Sequence, residues 1–284
     1  MRNRTITWIS VFLALAAVTL FPWLAWQEAQ RLAFDAAAEM TLAHARAVLH
    51  RAEQTAGQAN AAMLQLARLQ VTPCSPESLA FMRRLDLRSS YVQAVGFVQD
   101  DTIVCSSMGS VPVPLGRPTL RTSRGIAIYS HVPVAAEGAS PLIALERGGF
   151  AALLHRDLPL DLSVSIPGTA LAVMHLEAAS DAPPELMKGA VSRTWLAQLG
   201  GRPQASFVEG GRLVAVVRSS RFLMAAVAAA PSAYLEDRAR SIAWRIVPAA
   251  ALAGLAMAAG GLAPAGPPRA HRARLRHALR PEQR

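Results

Sequence analysis

Apolar residues are concentrated in two long segments, and between these segments they recur with the periods of helices and strands. The first segment, TITWISVFLALAAVTLFPWLAWQ, carries no charge from Thr5 to Gln27. Its 23 residues exceed the roughly 20 needed to cross a bilayer core, and tryptophans lie near its ends, as interfacial aromatics do. We interpret it as a retained membrane helix. A cleaved signal peptide is the alternative interpretation, but its apolar region spans only about 7–15 residues.

The second apolar segment, IVPAAALAGLAMAAGGLAP (246–264), is also long enough to span a membrane. Its small residues Ala250, Gly254 and Ala258 share one helix face, which lets another helix approach closely. A buried alanine-rich helix of a soluble domain is the alternative. The basic stretch that follows favours a membrane helix.

Between these segments, the first periodic region is helical. From Trp26 to about Gln70, apolar residues recur every three or four positions, which predicts one long helix that leaves the membrane. The sequence SPE (75–77) then supplies an N-cap serine, a first-turn proline and a first-turn acid. It predicts a short helix through about Leu87.

Beyond Ser90 the pattern changes to alternation, which predicts strands. The segments YVQAVGFV (91–98) and TIVCSS (102–107) flank Gln99-Asp100-Asp101, a hairpin signal, and two glycine pairs predict further hairpin turns at 148–149 and 210–211. The remaining strand candidates are 125–134, 141–147, 149–155, 169–175, 205–209, 212–218 and 221–229.

Two more helices are predicted in the second half of the chain. PPELMKGAVSRTWLAQLG (183–200) begins with two prolines and ends at a glycine, as helices commonly do. PSAYLEDRARSIAWR (231–245) is amphipathic and continues into the second apolar segment. The fold class expected is therefore α/β, with two transmembrane helices flanking a mixed antiparallel sheet of the PAS or Cache kind and a long N-terminal helix. The PAS or Cache expectation is an analogy at the level of the fold.

The distribution of charge sets the expected orientation. The net charge is +10, of which the first few residues contribute +2, the stretch after residue 264 contributes +5, and residues 27–245 contribute +3. Positive charge beside a membrane helix stays in the cytoplasm, so both termini are expected there. The chain is then an inner-membrane protein. Lipid headgroups account for the basic ends, so the charge does not indicate a nucleic-acid partner.

Four regions follow from this topology. Residues 1–27 hold the cytoplasmic N-terminus and the first transmembrane helix, and 28–245 form a periplasmic sensor domain. Residues 246–264 form the second transmembrane helix, and 265–284 form a basic cytoplasmic tail.

The chain has two cysteines, Cys74 in the predicted turn and Cys105 near a strand end. In the periplasm, cysteines more often form a disulfide than remain free thiols. A loop of this size would stabilise the folded state by roughly 3–4 kcal/mol on the chain-entropy model. A redox-responsive pair is the alternative to a purely structural disulfide, because both positions lie near loops and are therefore accessible.

The stretch TIVCSSMG, with a cysteine about thirty residues upstream, two apolar segments and a basic exit, resembles the CSS-motif sensor domain. That domain forms the N-terminal half of bacterial cyclic-di-GMP phosphodiesterases whose catalytic half is an EAL domain. The resemblance covers nearly the whole chain. It implies that Cys74 and Cys105 form a disulfide installed by the periplasmic thiol oxidation system, and that the free-thiol form is the activated one. Ser106 and Ser107 match the motif, and we expect them to hydrogen-bond the turn backbone.

The sequence departs from the family at its C-terminal end. HRARLRHALRPEQR resembles the linker into an EAL domain, but no Glu-Ala-Leu sequence occurs. No cytoplasmic cluster of acids is present that would hold the two metal ions such hydrolysis needs. We expect no catalytic residues in this chain. It is expected to be a stand-alone sensor or the regulatory half of a split or truncated phosphodiesterase, with a separate EAL protein as partner.

No other chemistry is predicted. No two of the histidines have the i, i+4 spacing of a helical metal site, so neither a metal nor a cofactor is expected. They are His44, His50, His131, His155, His175, His271 and His277.

Two hypotheses remain for the function. The first is a redox-responsive, homodimeric sensor for cyclic-di-GMP phosphodiesterase signalling. The second is a membrane-anchored interaction protein that does not signal and that dimerises through its second apolar segment.

Overall fold

The structure is a computed structural model that describes residues 2–69, 71–132 and 142–262. The helices in these ranges are α1 (Arg2–Arg68), α2 (Pro76–Arg88) and α3 (Ser232–Leu262). The strands are β1 (Val92–Gln99), β2 (Thr102–Ser106), β3 (Val113–Pro114), β4 (Leu120–Arg121), β5 (Ala127–Val132), β6 (Leu142–Arg147), β7 (Phe150–His155), β8 (Ala170–His175), β9 (Leu186–Lys188), β10 (Gln204–Glu209), β11 (Arg212–Arg218) and β12 (Met224–Pro231).

The strands form two antiparallel sheets. The first sheet has seven strands in the order β3-β2-β1-β7-β6-β5-β4, and the second has five in the order β10-β11-β12-β8-β9. The expected combination of a long N-terminal helix with antiparallel strands is confirmed, but the expectation of one sheet is wrong. Alternation locates strands, whereas pairing between distant strands such as β8 and β12 leaves no local signal in the sequence.

Helix α1 provides the cover that both sheets share. Its apolar positions recur every three or four residues, so they form one stripe. Residues between Leu42 and Ala52 pack against side chains from both sheets, and residues between Ala59 and Leu66 pack against the first sheet and α2. The apolar residues that recur with this period in the sequence therefore form the packing face of α1.

The second sheet is covered on both faces. On one face, Leu171 and Ala226 belong to the apolar cluster that includes residues of α1. On the opposite face, Ala172 and Val227 belong to the cluster of Trp195 and Leu199. Because neither face of β12 meets water, its sequence reads as an apolar run, MAAVAAA, instead of alternating. The strand begins at Met224, three residues later than predicted.

The helix predicted over 183–200 does not form. Strand β9 pairs with β8 within this stretch, and a 3₁₀ helix covers Arg193–Leu199. The carboxylate of Glu185, immediately after the two prolines, accepts hydrogen bonds from Arg193 and from the backbone N–H of His175. These tertiary contacts hold the chain extended and override a local helix-start signal. The short strands β3 and β4 were also not predicted.

The predicted hairpins are confirmed. Asp100 and Asp101 both have positive φ, 50° and 53°, as the two central residues of a type I′ turn require. Asparagine and aspartate tolerate this region better than other side chains. The glycine pairs at 148–149 and 210–211 turn β6 into β7 and β10 into β11.

Within the described ranges, two helices are long and apolar enough to cross a membrane. One is α1, which continues through Pro22 without a break, and the other is α3, in which the second apolar segment continues from an amphipathic first half. A Cβ added at Gly254 would lie 2.8 Å from the carbonyl oxygen of Ala17. The small residue predicted to permit close helix approach therefore faces the backbone of α1.

The chain divides into two compact units. One is Ala33–Arg238, and the other contains the residues before 33 and after 238. The basic tail 265–284, with His271 and His277, lies outside the described residues, as do positions 133–134 of the predicted strand 125–134.

Candidate functional site

The candidate site is the disulfide between Cys74 and Cys105, whose Cα atoms are 5.7 Å apart. Cys74 lies in the turn between α1 and α2. The side chain of Ser75 caps α2 by accepting a hydrogen bond from the backbone N–H of Ser78 at 3.2 Å, and Pro76 occupies the first helical turn. This start signal, read from the sequence, places Cys74 immediately before the helix.

The backbone of Cys74 adopts a left-handed conformation with φ of 63°. A residue with a Cβ rarely adopts this region, and doing so costs about 1–3 kcal/mol. Cys74 therefore holds a strained position while it is bonded to Cys105.

A β-bulge turns Cys105 towards the helices. Strand β1 pairs Phe97 with Cys105 and Val98 with Ile103, which leaves Val104 as an extra residue in β2. In a regular strand, residues two positions apart face the same side of the sheet. Because of the bulge, Ile103 packs on one face of the first sheet and Cys105 on the other.

Cys105 is buried within an apolar cluster of helix and sheet side chains, with an exposed fraction of 1%, whereas Cys74 is half-buried at its edge. We call this group the disulfide cluster; it contains Met63, Leu66, Met82, Leu85, Val95 and Cys105 among its buried members. The bond thus joins the α1–α2 turn to the first sheet at the place where both helices pack.

Both motif serines are buried; Ser106 hydrogen-bonds the turn backbone, as expected, whereas Ser107 bonds to strand β1. Ser106 pairs with Gly109 through reciprocal backbone hydrogen bonds of 2.7 and 3.0 Å, and its hydroxyl accepts from the N–H of Met108 at 3.2 Å. Ser107 donates its N–H to the carbonyl of Val95 at 2.8 Å and accepts from the N–H of Val95 on its hydroxyl at 3.3 Å. Ser106 therefore closes the turn after β2, and Ser107 binds that turn to β1.

A glycine in β1 permits this close approach. Gly96 lies opposite Ser106, and a Cβ there would be 2.5 Å from the Ile103 side chain and 2.7 Å from the carbonyl oxygen of Cys105. The backbone oxygen cannot move without disturbing the strand. Gly96 is a site residue that sequence reasoning missed, since nothing local distinguishes a strand glycine that leaves room for its neighbour.

The β1–β2 hairpin before Cys105 is hydrogen-bonded to strand β5 of the same sheet. The hydroxyl of Tyr129 donates to the Asp101 carboxylate at 2.9 Å. Burial and this hydrogen bond raise the pKa of Tyr129 to about 12. The backbone N–H of Leu115 also donates to the Asp101 carbonyl at 2.8 Å. Asp101 thereby fixes the start of the strand that carries the motif.

A buried ion pair beside the second sheet was also not predicted from the sequence. The Arg193 side chain, 5% exposed, forms a salt bridge of 2.9 Å with Glu185, 11% exposed. Its guanidinium also donates to the carbonyls of His175, Ala182 and Pro183. Burial lowers the pKa of the neighbouring His175. Nothing in the sequence marks Arg193 among 28 arginines.

Metal-binding chemistry has no counterpart among the described residues, where no group of three or more His, Cys, Asp or Glu side chains is placed to hold an ion. The redox chemistry of the cysteine pair is the reaction that the arrangement itself supports.

The family follows from a comparison with known domains. The family model described as the CSS motif domain associated with EAL matches residues 38–243, nearly three quarters of the chain. The chain belongs to this family. Cys105, Ser106 and Ser107 are the motif by which the resemblance was read from the sequence. No match to a curated protein was found.

Solved structures similar to the chain are extracellular or sensory domains. One is the extracellular domain of a protein described as histidine kinase rpHK1S-Z16, at 14% identity over 69% of this chain and 95% of that one, with a TM-score of 0.47. Another is an extracellular ligand binding receptor from Desulfohalobium retbaense, at 14% identity over 75% and 40% of the two chains, with a TM-score of 0.41. A third is the sensory domain of the Campylobacter jejuni chemoreceptor Tlp3, at 8% identity over 75% and 99%, with a TM-score of 0.42. At these TM-scores the similarities carry no functional assignment.

Proposed function

We propose that the protein is an inner-membrane receptor whose periplasmic CSS-motif domain responds to redox state through Cys74 and Cys105 and regulates cyclic-di-GMP phosphodiesterase signalling. The observation that carries the proposal is the bond between these cysteines inside the packing of α1, α2 and the first sheet. Membership of a family associated with EAL supports an EAL domain as the recipient of the signal.

The redox step involves two electrons. On oxidation the two sulfurs form one S–S bond, and two protons and two electrons leave the thiols; the electrons reduce a disulfide of the periplasmic thiol oxidation system to a dithiol. Reduction by an external dithiol reverses the step. The half-buried Cys74 sulfur is the one open to attack, because Cys105 is 1% exposed.

Reduction changes the packing of the helices in this proposal. Once released, Cys74 leaves its strained left-handed conformation, and the turn before α2 relaxes with it. Met63 and Leu66 of α1 and Met82 of α2 contact the same cluster as Cys105, so their packing responds directly. Helix α1 begins with the first apolar segment, which gives the change a route towards the membrane.

Anchoring in the membrane is supported by apolar side chains that face outward in both candidate spans. Trp8 and Phe12 in α1 are 73% and 71% exposed, and Leu252 in α3 is 68% exposed. In a bilayer these side chains contact lipid instead of water. With both termini in the cytoplasm, α3 leads from the second sheet to the inner face of the membrane.

The test joins a cytoplasmic EAL reporter to the full chain and measures cyclic-di-GMP hydrolysis in membranes. We expect a thiol reductant to change the output of the wild-type fusion, and Cys74→Ala and Cys105→Ala each to give that changed output without reductant. The variants should then be insensitive to reductant. Ser110→Ala, an exposed position beside the motif, is the matched control. Output that ignores both reductant and the cysteine substitutions would favour the interaction protein that does not signal.

A further inference from the structure

A cavity of about 140 Å³ is lined by helix α1 and the two sheets, and neither cysteine is among its lining residues. All of its walls belong to the compact unit 33–238. Each element contributes apolar side chains to the lining, among them Ala52 and Ala56 from α1, Ile128 and Ile143 from the first sheet, and Val173 and Met224 from the second.

Several of the polar side chains that line this cavity, which also include His155 and His175, are hydrogen-bonded to other protein groups. The Glu185 carboxylate is paired with Arg193 and with a backbone N–H. Further bonds run from Thr55 to the Arg51 carbonyl at 2.8 Å, from the Ile126 N–H to Thr122 at 3.0 Å, and from Arg124 to the Arg221 carbonyl at 3.1 Å.

One side of the cavity is bounded by an exposed turn of the first sheet that is hydrogen-bonded to the second. Ser123 donates its backbone N–H at 2.9 Å, and also its hydroxyl, to the Glu177 carboxylate. The next residue, Arg124, lines the cavity and bonds to the carbonyl of Arg221. These bonds lie at the surface, where opening them exchanges protein partners for water at little cost.

We propose that this cavity binds a small, uncharged, apolar molecule of about the size of benzene. An apolar cavity of roughly 150 Å³ in another protein stays dry and binds benzene or xenon, and this one has nearly that volume with the same kind of lining. A ligand that fills it regains the dispersion contacts that the lining side chains lack. The site contains neither cysteine, so it goes beyond the proposed redox function.

The experiment measures amide hydrogen exchange on the full chain in lipid nanodiscs, with benzene as probe and benzoate as its charged counterpart. Benzene should slow exchange in β5 and β8, which line the cavity. The slowing should reach about tenfold at a free concentration ten times the dissociation constant. Benzoate should slow exchange less than benzene at the same concentration, because burying its carboxylate in a mainly apolar lining costs free energy and Arg124 already donates to the Arg221 carbonyl.

Two variants of α1 separate binding in the cavity from partitioning into lipid. Ala56→Leu fills the cavity and should abolish the slowing, whereas Ala61→Leu, at an exposed position of the same helix, should retain it. If Ala56→Leu does not fold, Val173→Phe fills the cavity from the opposite wall.

The proposal is overturned if benzene slows no exchange, if benzoate slows it equally, or if a folded filling variant responds as the wild type does. Because the readout does not involve thiols, its failure leaves the redox proposal untouched. Failure of the redox proposal likewise leaves this one untouched.

Discussion

The two sheets are stabilised by different interactions. The first sheet is bonded covalently to the α1–α2 turn through Cys74 and Cys105, whereas the second holds a buried ion pair between Arg193 and Glu185. A covalent bond between sulfurs is made or broken by the redox state of the compartment, but an ion pair of this kind does not respond to it. Under the proposed redox function, reduction acts directly on the first sheet, whereas the second sheet, which continues into α3, is affected only through its contacts with the rest of the domain.

The largest effect is expected from breaking the ion pair of the second sheet. Arg193→Met leaves the Glu185 carboxylate nearly buried without its partner and removes donors from three carbonyls. We expect a loss of about 3–5 kcal/mol in the free energy of unfolding, measured by urea titration of the full chain.

A matched control for the ion pair lies on α1. The pair of Arg46 with Glu39, at 3.3 Å, is exposed, with 47% and 72% of the two side chains accessible. Arg46→Met should therefore cost less than about 1 kcal/mol. Equal losses for Arg193→Met and Arg46→Met would show that the second sheet does not depend on its buried pair.

The next largest effect concerns the covalent bond of the first sheet. Replacing both Cys74 and Cys105 by alanine should lower the free energy of unfolding by about 3–4 kcal/mol, because the unfolded chain regains the entropy of an open loop. Urea titration with and without reductant measures it. Reductant should destabilise the wild type towards the double variant and leave the double variant unchanged; a wild type that ignores complete reduction would contradict the comparison.

A smaller loss of stability is expected when Gly96, which lies opposite Ser106 in strand β1, is replaced. Gly96→Ala forces a Cβ against the carbonyl of Cys105 and should cost about 1–3 kcal/mol. Gly57→Ala is the control, since its Cβ would meet only Phe222, at 4.0 Å, and alanine favours the helix. Thermal unfolding of both variants checks this, and the account fails here if Gly96→Ala is as stable as Gly57→Ala.

The smallest effects are those of pH, and they separate the two sheets. Burial and the bond to Asp101 raise the pKa of Tyr129 from its ordinary 10.0 to about 12 in the first sheet. The unfolded state therefore loses this proton first, so the stabilisation is complete below pH 10 and is lost as the pH rises towards 12. Hydrogen exchange should show the alkaline loosening in β5, and Tyr129→Phe should remove it. An unchanged alkaline profile in Tyr129→Phe would exclude this residue as the cause.

In the second sheet the dependence of stability on pH has the opposite sign. Burial lowers the pKa of His175 below its ordinary 6.5, so the unfolded state takes up the proton first. The stabilisation is present above pH 6.5 and is lost as the pH falls below that value. Exchange in β8 should accelerate on mild acidification in the wild type and less so in His175→Gln. If β8 is equally sensitive to acid in both proteins, another group is responsible.

Features encoded by neighbouring residues were predictable from the sequence. The cap at Ser75, the turn at Asp100-Asp101 and the stripe along α1 all follow from local periodicity and turn chemistry. The pairing of Cys74 with Cys105 followed because both are the only cysteines in a chain expected in an oxidising compartment.

Features that depend on distant contacts were not predictable. The bulge at Val104 decides which face Cys105 occupies, yet strict alternation would place it with Ile103. The extended chain before Arg193 replaces a predicted helix because its hydrogen bonds come from other strands and side chains. Such outcomes depend on tertiary context, which overrides local propensity.

The central claim is that the redox state of the disulfide affects helix α3. The most direct test compares amide hydrogen exchange in residues 232–245 of the full chain in nanodiscs before and after reduction, with thiol counting to confirm that both cysteines are free. We predict that exchange in this segment changes on reduction and that Cys74→Ala shows the reduced rates at all times. Identical rates in the oxidised and fully reduced protein would contradict the claim.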